Sequence, residues 1–111
     1  MDDLRLSRAA GTALDSSDNE LFVSAVAGYE IVYKQGSGQL PPLPDGLSRR
    51  LHRAGVTTIA LSLDHALAAA ALPGPHPDPW DRIMMAQALA ENLTMVTVDP
   101  VFGDYGVPVI W

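Results

Sequence analysis

Short apolar runs alternate along the chain with longer segments that have polar caps. These runs predict strands at residues 20–23, 57–60, 93–98 and 107–110, and the run at 57–60 is rich in β-branched residues. The segments between them start at Ser, Asp or Gly and stop near Gly, Asn or Pro. They predict helices at residues 8–15, 25–35, 46–54, 62–72 and 78–91. Residues 41–44 read as an extended connector and residues 103–106 as a loop.

The alternation of strands and helices predicts an α/β domain with a parallel sheet. The run at 95–98 contains Met95, Val96 and Val98 without strict alternation, which is typical of a strand that is covered on both faces. The pattern lacks a strand at its beginning, where most such domains have one. We expect one domain over residues 1–111.

Composition and charge narrow the class of protein. At 48% hydrophobic content and 111 residues, the chain can bury a single core. The start of the chain does not look like a signal peptide, and the longest apolar stretch is too short to span a bilayer. The absence of cysteine excludes disulfides and thiolate metal sites and makes the cytoplasm the default location. A net charge of −6 does not favour phosphate contacts.

Three acids fall where a parallel sheet gathers ligands. Asp99 ends a predicted strand, Asp81 lies in the first turn of the helix before it, and Glu30 lies in a helix that starts after another strand. Ligands of open α/β sheets bind beyond the carboxyl ends of the strands. Carboxylates converging there would bind Mg²⁺ or Mn²⁺, and such ions activate water against a phosphodiester.

Each of these residues also has a structural interpretation. Asp81 could only complement the helix dipole, and Asp99 could only cap the next turn. Glu30 could pair with Lys34 four residues later, and Thr97 could orient a ligand or simply pack. We expect Asp78 to be the N-cap of its helix.

Two further groups are open to both kinds of interpretation. His76 lies among prolines and is expected to be a loop residue. The basic cluster of Arg49, Arg50 and Arg53 is expected to be a solvated face rather than an RNA track.

Several segments together resemble one family. The segment DPWDRIMMAQA (residues 78–88) closely resembles a signature of PIN-domain proteins of the VapC toxin type. The stretches VTVD (96–99), GVPVIW (106–111) and VSAV (23–26) leading to YEI (29–31) are similar to other parts of the same pattern. The resemblance covers essentially the whole chain.

The resemblance implies an α/β/α sandwich with a parallel sheet and Mg²⁺- or Mn²⁺-dependent endoribonuclease activity. It also implies a toxin restrained by a cognate antitoxin, usually as a homodimer. Glu30, Asp81 and Asp99 fall on catalytic, metal-binding acids of the family, and Thr97 falls on a hydroxyl position beside the last acid.

The chain departs from the family pattern at its start. The family begins with a central strand that ends in the first metal-binding Asp, and residues 1–7 correspond to the region after that strand. Neither Asp2 nor Asp3 can replace the missing acid, since no apolar strand precedes them. A start site recorded too late, a decayed gene, or closure by another strand would each explain this truncation.

These observations lead to two main functional hypotheses. The first is a VapC-like, metal-dependent ribonuclease toxin that binds RNA and an antitoxin, with the activity of the truncated chain in doubt. The second is a non-catalytic PIN-like module that binds an antitoxin or another protein. A different α/β hydrolase that relies on Asp99 alone is a weaker third.

Overall fold

A computed structural model describes residues 6–111 of the chain as six helices and four short strands. The helices are α1 (Arg8–Asp15), α2 (Ala25–Gly36), α3 (Leu47–Arg53), α4 (Leu63–Ala71), α5 (Pro79–Ala90) and α6 (Val101–Asp104). The strands are β1 (Phe22–Ser24), β2 (Thr57–Ile59), β3 (Met95–Val96) and β4 (Val109–Ile110). Contacts divide these elements into two compact units. One contains Glu20–Leu61, and the other contains residues 6–19 together with Ser62–Trp111.

The unit of residues 20–61 is built on one parallel strand pair. Strand β1 pairs with β2 so that Phe22 lies opposite Thr57 and Ser24 lies opposite Ile59. The connection between them contains α2 and α3, as a crossover between parallel strands requires. Helix α2 follows β1 directly, and the side chain of Ser24 accepts a hydrogen bond from the N–H of Val26.

The other unit holds α1, α4, α5, α6 and the second strand pair. Strand β3 is parallel to β4, with Met95 opposite Val109. Helix α5 carries the core: Met85 is fully buried and clusters with Ala88, Phe102 and Val107. The side chains of Leu72, Met95 and Tyr105, among others, pack against this cluster.

The helix starts predicted at Ser7, Ser24, Ser62 and Asp78 are confirmed, because each of these side chains caps its helix. Ser7 accepts from the N–H of Ala10, and Ser62 forms a reciprocal capping box with His65. Asp78 accepts from the N–H groups of Trp80 and Asp81, so the prediction that it is the N-cap of α5 is correct. At the other end of α5, Asn92 has φ of 56°, as expected for a left-handed residue after a helix.

The strands differ most from the sequence-based expectation. Hydrogen bonding forms two separate two-stranded parallel sheets among the described residues, and β3 covers only two residues of the predicted run 93–98. Val98 was expected to be covered on both faces but is 70% exposed. The chain turns directly after β3, because the hydroxyl of Thr97 accepts a hydrogen bond from the N–H of Asp99.

The predicted loop at 103–106 is also wrong in part, since residues 101–104 form the short helix α6. Phe102 anchors this turn in the core, and the N–H groups of Tyr105 and Val107 both donate to its carbonyl. A buried aromatic side chain therefore orders a segment whose glycines suggest a loop.

One sequence-based statement is not tested by the fold. Asp2, Asp3 and most of the stretch 1–7 lie outside the described residues, so the proposed relation of this stretch to a missing central strand stays a prediction. Between residues 6 and 111 no helix has the length and apolar character needed to cross a membrane.

Candidate functional site

Asp81 is the candidate acid with the most defined surroundings. It is the third residue of α5, and its Oδ2 lies 2.9 Å from Nε2 of His76. Both side chains are largely buried, with about a fifth of each exposed. The carboxylate does not cap its own helix, because Asp78 fills that role. Asp81 still lies in the first turn of α5, where a carboxylate complements the helix dipole, so this interpretation and a ligand role both stay open.

His76 is held at its backbone as well as at its ring. Its N–H donates to the hydroxyl of Tyr105 over 2.9 Å, and its carbonyl accepts from Nη1 of Arg82 over 3.1 Å. The rings of His76 and Tyr105 also meet edge to face, with centroids 6.4 Å apart. His76 is a loop residue, as expected, but its loop is tied to two other elements.

Arg82 organises the whole segment between α4 and α5. Its guanidinium donates to the carbonyls of Ala69, Leu72, Gly74 and His76. The same group lies 5.8 Å from the centre of the Tyr105 ring, within the range of a cation–π contact. The loop that carries His76 is therefore fixed from the first turn of α5, one residue after Asp81.

A cavity of about 450 Å³ opens beside this loop. Its walls are formed by the loop itself and by the segment that contains α6: Pro73, Gly74, Pro75, His76, Pro77, Val101, Asp104 and Tyr105. The side chains are mostly apolar, with His76, Asp104 and Tyr105 as the polar groups. A cavity therefore lies next to the residue that contacts Asp81.

Asp99 and Thr97 form a compact turn after β3. The hydroxyl of Thr97 accepts from the N–H of Asp99 over 3.1 Å, and Oδ1 of Asp99 accepts from the N–H of Val101 over 3.0 Å. The expected capping role of Asp99 is thus present. Its second carboxylate oxygen has no partner within residues 6–111, so a ligand role is compatible with the cap.

Glu30 lies in α2 and belongs to the unit of residues 20–61. Its side chain is half-buried. No ion pair joins Glu30 to Lys34 in the described structure, so the alternative interpretation, in which Glu30 only pairs with Lys34, is not supported. Its role as a metal ligand stays a prediction.

The donor chemistry of these acids fits a hard divalent cation. Mg²⁺ is commonly held by one or two carboxylates together with water and substrate phosphates, rather than by a complete protein cage. Asp81 and Asp99 each keep one carboxylate oxygen without a partner among residues 6–111. The same residues contain no group of three or more His, Cys, Asp or Glu side chains that could hold an ion by themselves.

The basic cluster on α3 is partly neutralised. Arg50 and Arg53 both form ion pairs with Asp45, at 3.1 and 2.5 Å. Hydrogen bonding from Arg50, with a further contribution from Arg53, lowers the pKa of the Asp45 carboxyl below its ordinary value. These ion pairs agree with the prediction that the arginines form a solvated helix face, since an RNA-binding surface would need their charges to be free.

Comparison with known protein families shows which family the chain belongs to. The sequence matches the PIN domain family over residues 2–108, so this chain belongs to the PIN domain family. Its helices and short parallel strands fit the α/β/α fold of that family. PIN domains are generally nucleases, typically dependent on a divalent metal. Neither the curated proteins nor the solved structures contain a significant match to the chain.

The sequence offers Glu30, Asp81 and Asp99 as candidate acids, which stays a prediction, but it gives no sign of the network around Asp81. His76 precedes Asp81 by five residues in a proline-rich loop, and no known ligand spacing marks it. Arg82 and Tyr105 gave no signal either, because their partners are backbone groups that only folding brings close. The only local sign of the contact between His76 and Asp81 is their separation of five residues at the start of a helix, which is a weak signal.

Proposed function

We propose that this chain is a VapC-like toxin of a type II toxin–antitoxin system. In this proposal it is an endoribonuclease that hydrolyses RNA phosphodiester bonds with Mg²⁺ or Mn²⁺. The observation that carries the proposal is membership of the PIN domain family over residues 2–108, a range that includes all three candidate acids.

Glu30, Asp81 and Asp99 are proposed to hold the cation as the catalytic acids. When bound, a divalent ion in such a site lowers the pKa of water and stabilises negative charge on a phosphodiester. The chain contributes orientation: His76 contacts one oxygen of Asp81 at 2.9 Å, and Thr97 holds the backbone of Asp99. Thr97 is thus proposed to act by positioning Asp99.

The proposed partners are RNA, a cognate antitoxin and a second copy of the chain, in the cytoplasm. With a net charge of −6, the protein depends on the cation to offset repulsion from the phosphates of RNA. Cleavage is therefore expected to require the metal at the step of RNA binding as well as at the step of hydrolysis.

Metal-dependent cleavage of RNA tests this proposal. The purified chain is incubated with fluorescent single-stranded RNA and matched single-stranded DNA, with Mn²⁺, with Mg²⁺ or with EDTA. We expect RNA cleavage that needs the ion and is lost in the double variant Asp81→Asn, Asp99→Asn. The matched control is Asp78→Asn, which removes a neighbouring charge but keeps an equally good helix cap. Cleavage that persists in the double variant would refute the proposed roles of the two acids.

A second candidate function is a non-catalytic PIN-like module that binds an antitoxin or another protein. An apolar surface on α2 favours it: Tyr29, Val32 and Tyr33 are each more than half exposed, and the two tyrosine rings stack at 6.0 Å. Exposed apolar patches commonly mark interaction sites.

This alternative predicts a different result from the nuclease proposal. The association with a coexpressed antitoxin should be unchanged in the Asp81→Asn, Asp99→Asn variant, while no condition yields RNA cleavage. A complex that depends on the two acids would argue against the alternative.

A further inference from the structure

His76 is placed to control the carboxylate of Asp81. Its Nε2 lies 2.9 Å from Oδ2 of Asp81, and the two side chains are similarly shielded from solvent. Such a contact removes one oxygen of the carboxylate from free rotation. The other oxygen has no partner within residues 6–111 and is left available to a ligand.

The histidine itself has little freedom to move. Its N–H is bound by the Tyr105 hydroxyl, its carbonyl by Arg82, and its ring packs against the edge of the Tyr105 ring. Because His76 is held in place, the Asp81 carboxylate cannot rotate without losing its hydrogen bond to the imidazole.

Carboxylates that bind metals are usually held by a second layer of hydrogen bonds. Removing such a partner typically lowers metal affinity or activity by about 10- to 100-fold. An unsupported Asp at a helix start would have to give up side-chain freedom when it binds an ion. A carboxylate that is already oriented avoids that loss.

We propose that His76 is a positioning residue for Asp81: it fixes the carboxylate in one orientation for binding a divalent cation, with Arg82 and Tyr105 holding His76 in place. The inference rests on the proposed function, since it takes Asp81 as a cation ligand. It adds a residue from the loop between α4 and α5 to a site otherwise made of acids.

Mn²⁺ binding to the full chain tests this inference without an activity assay. Free Mn²⁺ is measured by electron paramagnetic resonance during titration of the wild type, His76→Ala, His76→Gln and Asp81→Asn. We expect His76→Ala to weaken binding by about 10-fold or more. His76→Gln should recover most of the affinity, because its amide nitrogen can reach the position of Nε2. His52→Ala, at an exposed histidine of α3, is the matched control and should bind as the wild type does.

Each other outcome has a defined meaning. If His76→Ala binds Mn²⁺ as tightly as the wild type, or more tightly, while Asp81→Asn loses binding, the positioning role is wrong and the metal site stands. If His76→Gln is as weak as His76→Ala, the imidazole is needed for more than orientation, and the inference is overturned. If Asp81→Asn binds normally, both the inference and the proposed role of Asp81 fail. Circular dichroism melting of every variant separates these results from loss of folding.

Discussion

Arg82 offers the most direct test of how the loop around His76 is built. Helix α4 has no basic residue in its last turn, yet a cation there is favourable because of the helix dipole. Arg82 of α5 places a positive charge at this end of α4, because its guanidinium donates to the carbonyls of Ala69 and Leu72. The same guanidinium also binds the carbonyls of Gly74 and His76.

The magnitude follows from the exposure of these contacts. Hydrogen bonds from a charged donor contribute about 1.5–3 kcal/mol each when buried. The bond to Gly74 is exposed, so water replaces it at little cost, while the other three are only partly buried. We therefore expect Arg82→Met to lower the free energy of unfolding by about 3 kcal/mol. Such a loss lowers the melting temperature by about 10–15 °C in a domain of this size.

Arg82→Lys separates the charge from the geometry. The ammonium keeps the favourable charge near the end of α4 but cannot span four carbonyls from one point. Its loss should therefore be smaller, about 1–2 kcal/mol. Urea and thermal unfolding followed by circular dichroism measure both variants, with Arg49→Met as the control at an exposed arginine. If Arg82→Met changes stability by less than about 0.5 kcal/mol, as an ordinary surface substitution does, the reasoning is refuted.

Two further predictions concern backbone strain and charge. Gly74 has φ of 115°, and a Cβ there would lie 2.7 Å from Cζ of Tyr105, so Gly74→Ala should destabilise the protein by about 1–3 kcal/mol. Gly28→Ala, in the open interior of α2, should instead be neutral or stabilising in the same thermal melt. Because Arg50 lowers the pKa of Asp45, the pair stabilises the fold above about pH 4 and loses this effect as pH falls through the lowered pKa. Carbon-detected NMR titration should show the Asp45 pKa rising in Arg50→Gln, and an unchanged midpoint would contradict the assignment.

The local elements follow closely from the sequence. The caps at Ser7, Ser24, Ser62 and Asp78 were predicted because a capping side chain binds backbone groups only two or three residues away. The positions of the strands were predicted within a few residues for the same reason, since β-branched residues and flanking turn residues act locally. The lengths of the strands were not predicted, because a strand extends only as far as a neighbouring strand continues to hydrogen-bond with it.

The family could also be predicted from the sequence, and so could the acids that are candidates for its site. The segment around Asp81 resembles a PIN signature, and the family match over residues 2–108 confirms that part of the reasoning. Whether Glu30, Asp81 and Asp99 share a cation stays a prediction, because it depends on side chains from distant elements.

The sequence by itself thus determined the helix caps, the approximate positions of α1 to α5 and of the strands, and the PIN family, but not the short helix α6. Only the tertiary structure decided the environment of Asp81. His76 meets Tyr105 across 29 positions of sequence, and Arg82 reaches back 13 positions to the end of α4. Such contacts carry no periodic or local signal, because the backbone carbonyls and hydroxyl that they use belong to loops and helix ends that only the packed core brings together.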